Sequence, residues 1–184
     1  MNLRRMGNTK VKAQSKGALA DKRQSTLAMI QGIFHVSFTV RNLEESVKWY
    51  TEVLGLRYFR GQEQHNEYTG KLVGFKDAHL RIAQLHVPGQ PFAERANHHI
   101  ELVEYIHPAG KDDIDLATYH NGNGHWAFIV DDIFAEFERM KALGVHFKAD
   151  APVAIEHGVN KGGYAIYLTD CNGITLELLQ PPKS

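Results

Sequence analysis

The chain has 184 residues, 43% of them hydrophobic, with 21 Lys and Arg balancing 21 Asp and Glu. That length can build one domain or two small fused modules, and no run of about eighteen apolar residues offers a membrane span. The charge is uneven: residues 1–30 hold Arg4, Arg5, Lys10, Lys12, Lys16, Lys22 and Arg23 against Asp21 alone, so the remaining body is acidic, which argues against nucleic acid as a partner.

Residues 1–31 are read as a basic N-terminal extension, rich in Ser, Gln, Gly and Lys and without an apolar period. Residues 1–30 also have the composition of an organellar targeting segment, basic and poor in acids. The single cysteine, Cys171, excludes an internal disulfide and fits a reducing, cytoplasmic compartment.

Module one is expected over 32–110. His35 to Val40 alternates, with Val36, Phe38 and Val40 on one face and His35, Ser37 and Thr39 on the other, which predicts a strand. Asn42 is placed to cap a helix carrying Leu43, Val47, Tyr50, Val53 and Leu54, and Gly55 to end it. Leu56 to Gly61 reads as a strand, and Glu67 to Phe75 is ambiguous because Gly70 and Gly74 interrupt it. His79 to Val87 predicts a strong strand closed by Pro88-Gly89. A loop at 90–97 and a strand from His98 to Ile106 follow.

A polar connector, 111–123, leads to module two at 124–184, which repeats the order. His125 to Val130 predicts a strand. Asp131 to Leu143 predicts a helix with the stripe Ile133, Phe134, Phe137, Met140 and Leu143. Val145–Lys148 and Pro152–Ile155 are short and weak, and Gly163–Thr169 is a strand. Asp170-Cys171-Asn172-Gly173 signals a hairpin turn before the last strand, Ile174 to Leu179.

The two modules are an internal repeat at a spacing of about ninety residues. Each opens on a histidine, His35 or His125. Each last strand carries a glutamate in an apolar run, Ile100-Glu101-Leu102 or Leu176-Glu177-Leu178. A lone carboxylate among apolar residues is costly unless it is paired or bound to a cation. Two imidazoles and two carboxylates at matched positions therefore predict a metal site made of His35, Glu101, His125 and Glu177. That donor set accepts Zn, Ni, Co, Mn or Fe(II) and leaves positions open for a small-molecule substrate.

The chain resembles the vicinal oxygen chelate superfamily, the glyoxalase, bleomycin resistance and dioxygenase proteins. The resemblance is carried by Phe34 to Val40, Trp49 to Leu56, Ile100-Glu101-Leu102-Val103-Glu104, Gly124-His125 and Asp170 to Leu178, and it covers residues 32–182. It implies an α+β fold of two βαβββ modules, a curved sheet around a metal cavity, a homodimer, and a metal held by the same four residues. In ligand pattern the chain is most similar to glyoxalase I and methylmalonyl-CoA epimerase. The implied activity is that of a divalent-metal-dependent lyase or isomerase whose substrate chelates the metal through vicinal oxygens. Glu177 is then the base that moves a proton, with Glu101 as its catalytic partner.

Glyoxalase I often carries Arg four residues after the first ligand and four before the third. Here those places hold Thr39 and Asn121, so the resemblance does not extend to the grip on glutathione. Three alternatives remain open: an extradiol-type Fe(II) dioxygenase, an enzyme like methylmalonyl-CoA epimerase, and a metal-free drug-binding resistance protein. Tyr167, Tyr164, Arg81 and His157 are candidate substrate-binding residues, with Tyr68 as a further cavity candidate. His99 shares the face of Glu101 and is a candidate neighbour of the metal. Whether the cavity closes within one chain or between two is not readable from the sequence.

Overall fold

A computed structural model of the chain describes residues 32–89, 99–111 and 113–183. A boundary between units falls after Gly32, and the description concerns Ile33–Ser184. The basic extension at 1–31 and the loop expected at 90–97 lie outside the described residues.

Module one runs β1 (Val36–Thr39), α1 (Leu43–Glu52), β2 (Arg57–Gln64), α2 (Glu67–Val73), β3 (His79–His86) and β4 (His99–His107). Module two runs β5 (Trp126–Ile129), α3 (Ile133–Ala142), β6 (His146–Phe147), β7 (Val153–Ala154), β8 (Tyr164–Thr169) and β9 (Thr175–Gln180). The helix starts follow the expected chemistry. The Asn42 side chain accepts from Glu45 N, and Asp132 accepts from Phe134 N and Ala135 N, each relieving orphan donors of a first turn. Gly55, at φ 70°, follows the end of α1.

The ambiguous stretch resolves as α2, an insertion into the βαβββ order. Asn66 caps it by accepting from Thr69 N, and Gly74 ends it at φ 78°. Gly70 sits inside the helix because a Cβ there would meet the Phe75 carbonyl oxygen at 3.0 Å.

Each module forms its own sheet, β1-β4-β3-β2 in the first and β5-β9-β8-β6 in the second, with β7 on β8. β1 lies parallel to β4 and β5 parallel to β9, while the other pairs are antiparallel. The repeat seen in the sequence is thus a repeat of topology.

One core joins the modules. Tyr50 and Val53 from α1 meet Ile133, Phe137 and Met140 from α3, together with Leu85, Leu102, Leu168, Leu176 and Leu178 from the strands. Each buried Leu contributes on the order of 1.5–3 kcal/mol. The expected α3 stripe is corrected: Phe134 and Leu143 are 46% and 56% exposed. The buried line is Ile133, Phe137 and Met140, and Phe134 sits at its flank against the Tyr164 ring. Polar bonds reinforce the joint. Arg41 Nη2 donates to the Asn172 carbonyl at 2.7 Å, Asn172 Nδ2 donates to Ser46 Oγ at 3.0 Å, and Arg139 Nη2 donates to the Val53 carbonyl at 2.7 Å.

Strand parity decides which side chains meet. Ile100 and Leu102 of β4 enter the core beneath α1, and Glu104 on the same face reaches Leu43 N. Glu101 therefore points to the opposite face. In β9, Leu176 and Leu178 enter the core and Glu177 faces away from it.

Candidate metal centre

His35 stands one residue before β1, and His125 one residue before β5. Ser37 pairs with Glu101, and Ala127 pairs with Glu177. In both modules the glutamate thus lies opposite the residue two beyond the histidine, on the shared face of a parallel strand pair. His35 Nε2 stands 3.5 Å from Glu101 Oε1, and His125 Nε2 stands 2.9 Å from Glu177 Oε2.

The His125–Glu177 separation falls within the range for two donors on one ion, and the His35–Glu101 separation lies just above it. With bonds of about 2.0–2.1 Å and angles between square and tetrahedral, two donors around one cation lie about 2.9–3.4 Å apart. Both glutamates are largely covered, with side chains 13% and 15% exposed. His35 Nδ1 is buried and has no hydrogen-bond partner among the described residues.

Among the described residues, no three His, Cys, Asp or Glu side chains stand together closely enough to hold one ion. The four expected ligands stand as two His–Glu pairs, one per module. Among the described residues, each module therefore presents its own His–Glu pair.

The strands beside the glutamates supply the next layer. Gln84 on β3 pairs with Glu101, and its Nε2 donates to Glu101 Oε2 at 2.6 Å. Arg60 Nε donates to Gln84 Oε1 at 2.6 Å. In module two the equivalent place opposite Glu177 is held by Tyr167. Its hydroxyl lies 3.2 Å from His125 Nε2, and burial followed by the charge of Glu177 raises its pKa. The expected neighbour His99 is also found here: its ring centroid is 6.2 Å from that of His35, and desolvation, then the charges of His35 and Arg60, lowers its pKa. A cleft of about 400 Å³ between β1 and β5 reaches His125 and is lined also by Ser37, Thr39, Asn123, Trp126 and Thr175.

Comparison with known proteins decides the family. Residues 32–178 match the model of the Glyoxalase/Bleomycin resistance protein/Dioxygenase superfamily. The chain belongs to this superfamily. It is 31% identical over 151 residues to a probable lactoylglutathione lyase of Vibrio parahaemolyticus, covering 80% of this chain and 89% of that one. It is also 31% identical over 154 residues to a 2-epi-5-epi-valiolone epimerase of an Actinomyces species, covering 82% of this chain and 79% of that one. The fold matches a glyoxalase family protein from Bacillus cereus with a TM-score of 0.66 at 20% identity, over 84% of this chain and 96% of that chain.

Within this glyoxalase-superfamily fold, Tyr167 is the one substrate candidate that stands beside a His–Glu pair. Arg81 lies away from the His–Glu pairs: it is three residues from Gln84 on β3, so it points to the opposite face, where Glu44 and Glu104 hold it. There it lines a larger cleft of about 600 Å³ between α1 and strands β2 and β3. Tyr164 likewise faces away from the His–Glu pair of its module. It lies three residues from Tyr167 on β8 and packs on Phe134 of α3, with ring centroids 4.9 Å apart. His157 is exposed in the segment between β7 and β8, and Tyr68 is 63% exposed on α2. Gln84 and Arg60 were missed by sequence reasoning. The available signal was an amide inside the apolar run Ile82-Ala83-Gln84-Leu85, which needs a buried partner.

Proposed function

We propose that the protein is a divalent-metal-dependent, glyoxalase-I-like lyase or isomerase acting on a small substrate with two adjacent oxygens. The observation that carries this reading is the matched placement of two His–Glu pairs at the same register in a duplicated fold. His35, Glu101, His125 and Glu177 would hold the ion, as Zn, Ni, Co, Mn or Fe. When bound, the ion acts as a Lewis acid toward the substrate oxygens. Glu177, whose carboxylate stands 2.9 Å from His125 Nε2 and lies across the strand pair from Tyr167, takes the proton from the carbon beside the carbonyl and returns it to the adjacent carbon. Tyr167, a neutral phenol whose pKa is raised further by burial and then by the Glu177 charge, can donate a hydrogen bond beside that carboxylate.

The half-sites are completed by a second copy of the chain, the module-one pair of one protomer meeting the module-two pair of the other across a twofold axis. Two features support this arrangement. The four residues form no single group within the chain. The ligand-bearing face of β5 also carries Ile129, 74% exposed, as an apolar surface for a partner.

A second reading concerns the substrate. The cleft beside His125 contains no Lys or Arg among its lining residues, and Thr39 lies within it. Together with the similarity to an epimerase, this favours a neutral polyhydroxy ketone over a glutathione conjugate. In that case Glu177 removes the proton from one face, Glu101 delivers one to the same carbon from the opposite face, and the centre is inverted.

Elemental analysis of the purified protein, followed by turnover assays with the metal found, tests both readings. The substrates are glutathione hemithioacetals, acyl-CoA epimers, cyclic polyhydroxy ketones and catechols. Stoichiometric metal with proton exchange at a carbon beside a carbonyl is expected. A metal-free protein that binds a drug, or catechol ring opening, would replace the proposal.

A further inference from the structure

We propose that Gln84, oriented by Arg60, is a positioning residue that commits Glu101 to the ion through a single oxygen. The inference rests on the metal reading above and concerns a residue outside the ligand set. Gln84 is 5% exposed and lies directly across the strand pair from Glu101. An amide can present its oxygen or its nitrogen to a carboxylate, and only the nitrogen bonds favourably. Arg60 removes the choice. A guanidinium is a permanent donor with no acceptor, so the Gln84 oxygen must face Arg60 Nε, at 2.6 Å. The Gln84 nitrogen then faces Glu101 Oε2, also at 2.6 Å. Glu101 Oε2 is thereby occupied, and Oε1 is the oxygen turned toward His35. Arg60 is steadied in turn by the Phe59 ring, 5.2 Å from its guanidinium carbon.

The duplicated module provides an internal control. Tyr167 occupies the matching place opposite Glu177, yet its hydroxyl goes to His125, where Gln84 donates to its glutamate. The brace is therefore a property of this position and not of the fold. It makes the two carboxylates unequal, one held by an amide across the strand pair and one facing a tyrosine there.

Metal affinity tests this without reference to turnover. Metal-depleted full-length protein is titrated with Co(II) and with Zn(II) in competition with a chromophoric chelator, and the Co(II) absorption bands are recorded. Gln84→Leu is expected to weaken binding about 10–100-fold, the size of effect typical of a lost outer-shell partner. It should also shift the Co(II) bands while the circular dichroism spectrum stays unchanged. Arg60→Met, a change at an exposed side chain that leaves the fold intact, should reproduce part of the loss. The double variant should bind no more weakly than Gln84→Leu alone, because the two residues act in series. Affinities within about twofold of wild type in both single variants overturn the inference, as do losses that simply add. Wild-type protein that takes up no ion removes the metal reading and this inference together. Wild-type binding with unaffected variants removes this inference only.

Discussion

The Tyr50 hydroxyl donates to Asp170 Oδ2 at 3.0 Å, fastening the first helix of module one to the last hairpin of module two. Burial, and then the Asp170 charge, hold the Tyr50 pKa well above its usual value. Asp170 Oδ1 also accepts from Asn172 N and Ile174 N, so the carboxylate stays bonded when Tyr50 is altered.

Tyr50→Phe should cost about 1.5–3 kcal/mol at neutral pH, the range for a hydrogen bond to a charged group. In the folded state the phenol stays neutral, whereas in the unfolded chain it ionises near pH 10. Its stabilisation is therefore complete below about pH 10 and is lost as pH rises toward the folded value. Denaturant melts of both proteins from pH 7 to 11 should show the gap narrowing above pH 10. A constant gap would contradict this assignment.

A site shared between protomers predicts complementation. One inactive chain carries His35→Ala and Glu101→Ala, and the other carries His125→Ala and Glu177→Ala. Random reassortment of the two should restore about a quarter of wild-type activity, since half the dimers are mixed and each mixed dimer holds one intact site. A site closed within each chain would yield nothing on mixing.

Glu177→Gln should preserve the melting temperature within a few degrees and lower kcat by about 10²–10⁴-fold, the contribution usual for a general base. Steady-state kinetics beside a thermal melt measures both. Unimpaired turnover would remove Glu177 as the base.

Metal removal should reduce stability by mass action. At free metal about 100 times the dissociation constant, each site adds about 2.7 kcal/mol to the folded state. Thermal melts with metal and with chelator should differ accordingly, and the difference should vanish in His125→Ala combined with His35→Ala.

The repeat was legible because its signals are local. Alternation located β1 and β5, the acceptor side chains of Asn42 and Asp132 marked two helix starts, and the matched glutamates followed from aligning the halves. The placement of Arg81 and Tyr164 was not legible, because the face a strand residue occupies depends on cross-strand register. Each lies three residues from the side chain that does reach the site, Gln84 or Tyr167, and an odd step along a strand changes its face. Only the pairing of Gln84 with Glu101, and of Tyr167 with Glu177, tells which residue of each strand looks toward the histidines. That the two His–Glu pairs stand apart was also invisible, since matched spacing says nothing about how far apart two modules hold their matched residues.

The unlike residues across from the two glutamates set a limit on how far the halves have stayed siblings. A chain assembled from two copies of module two would carry the right donors twice over. It would then set a tyrosine across from each glutamate, and the amide that donates to Glu101 in the natural chain would have no counterpart in either half.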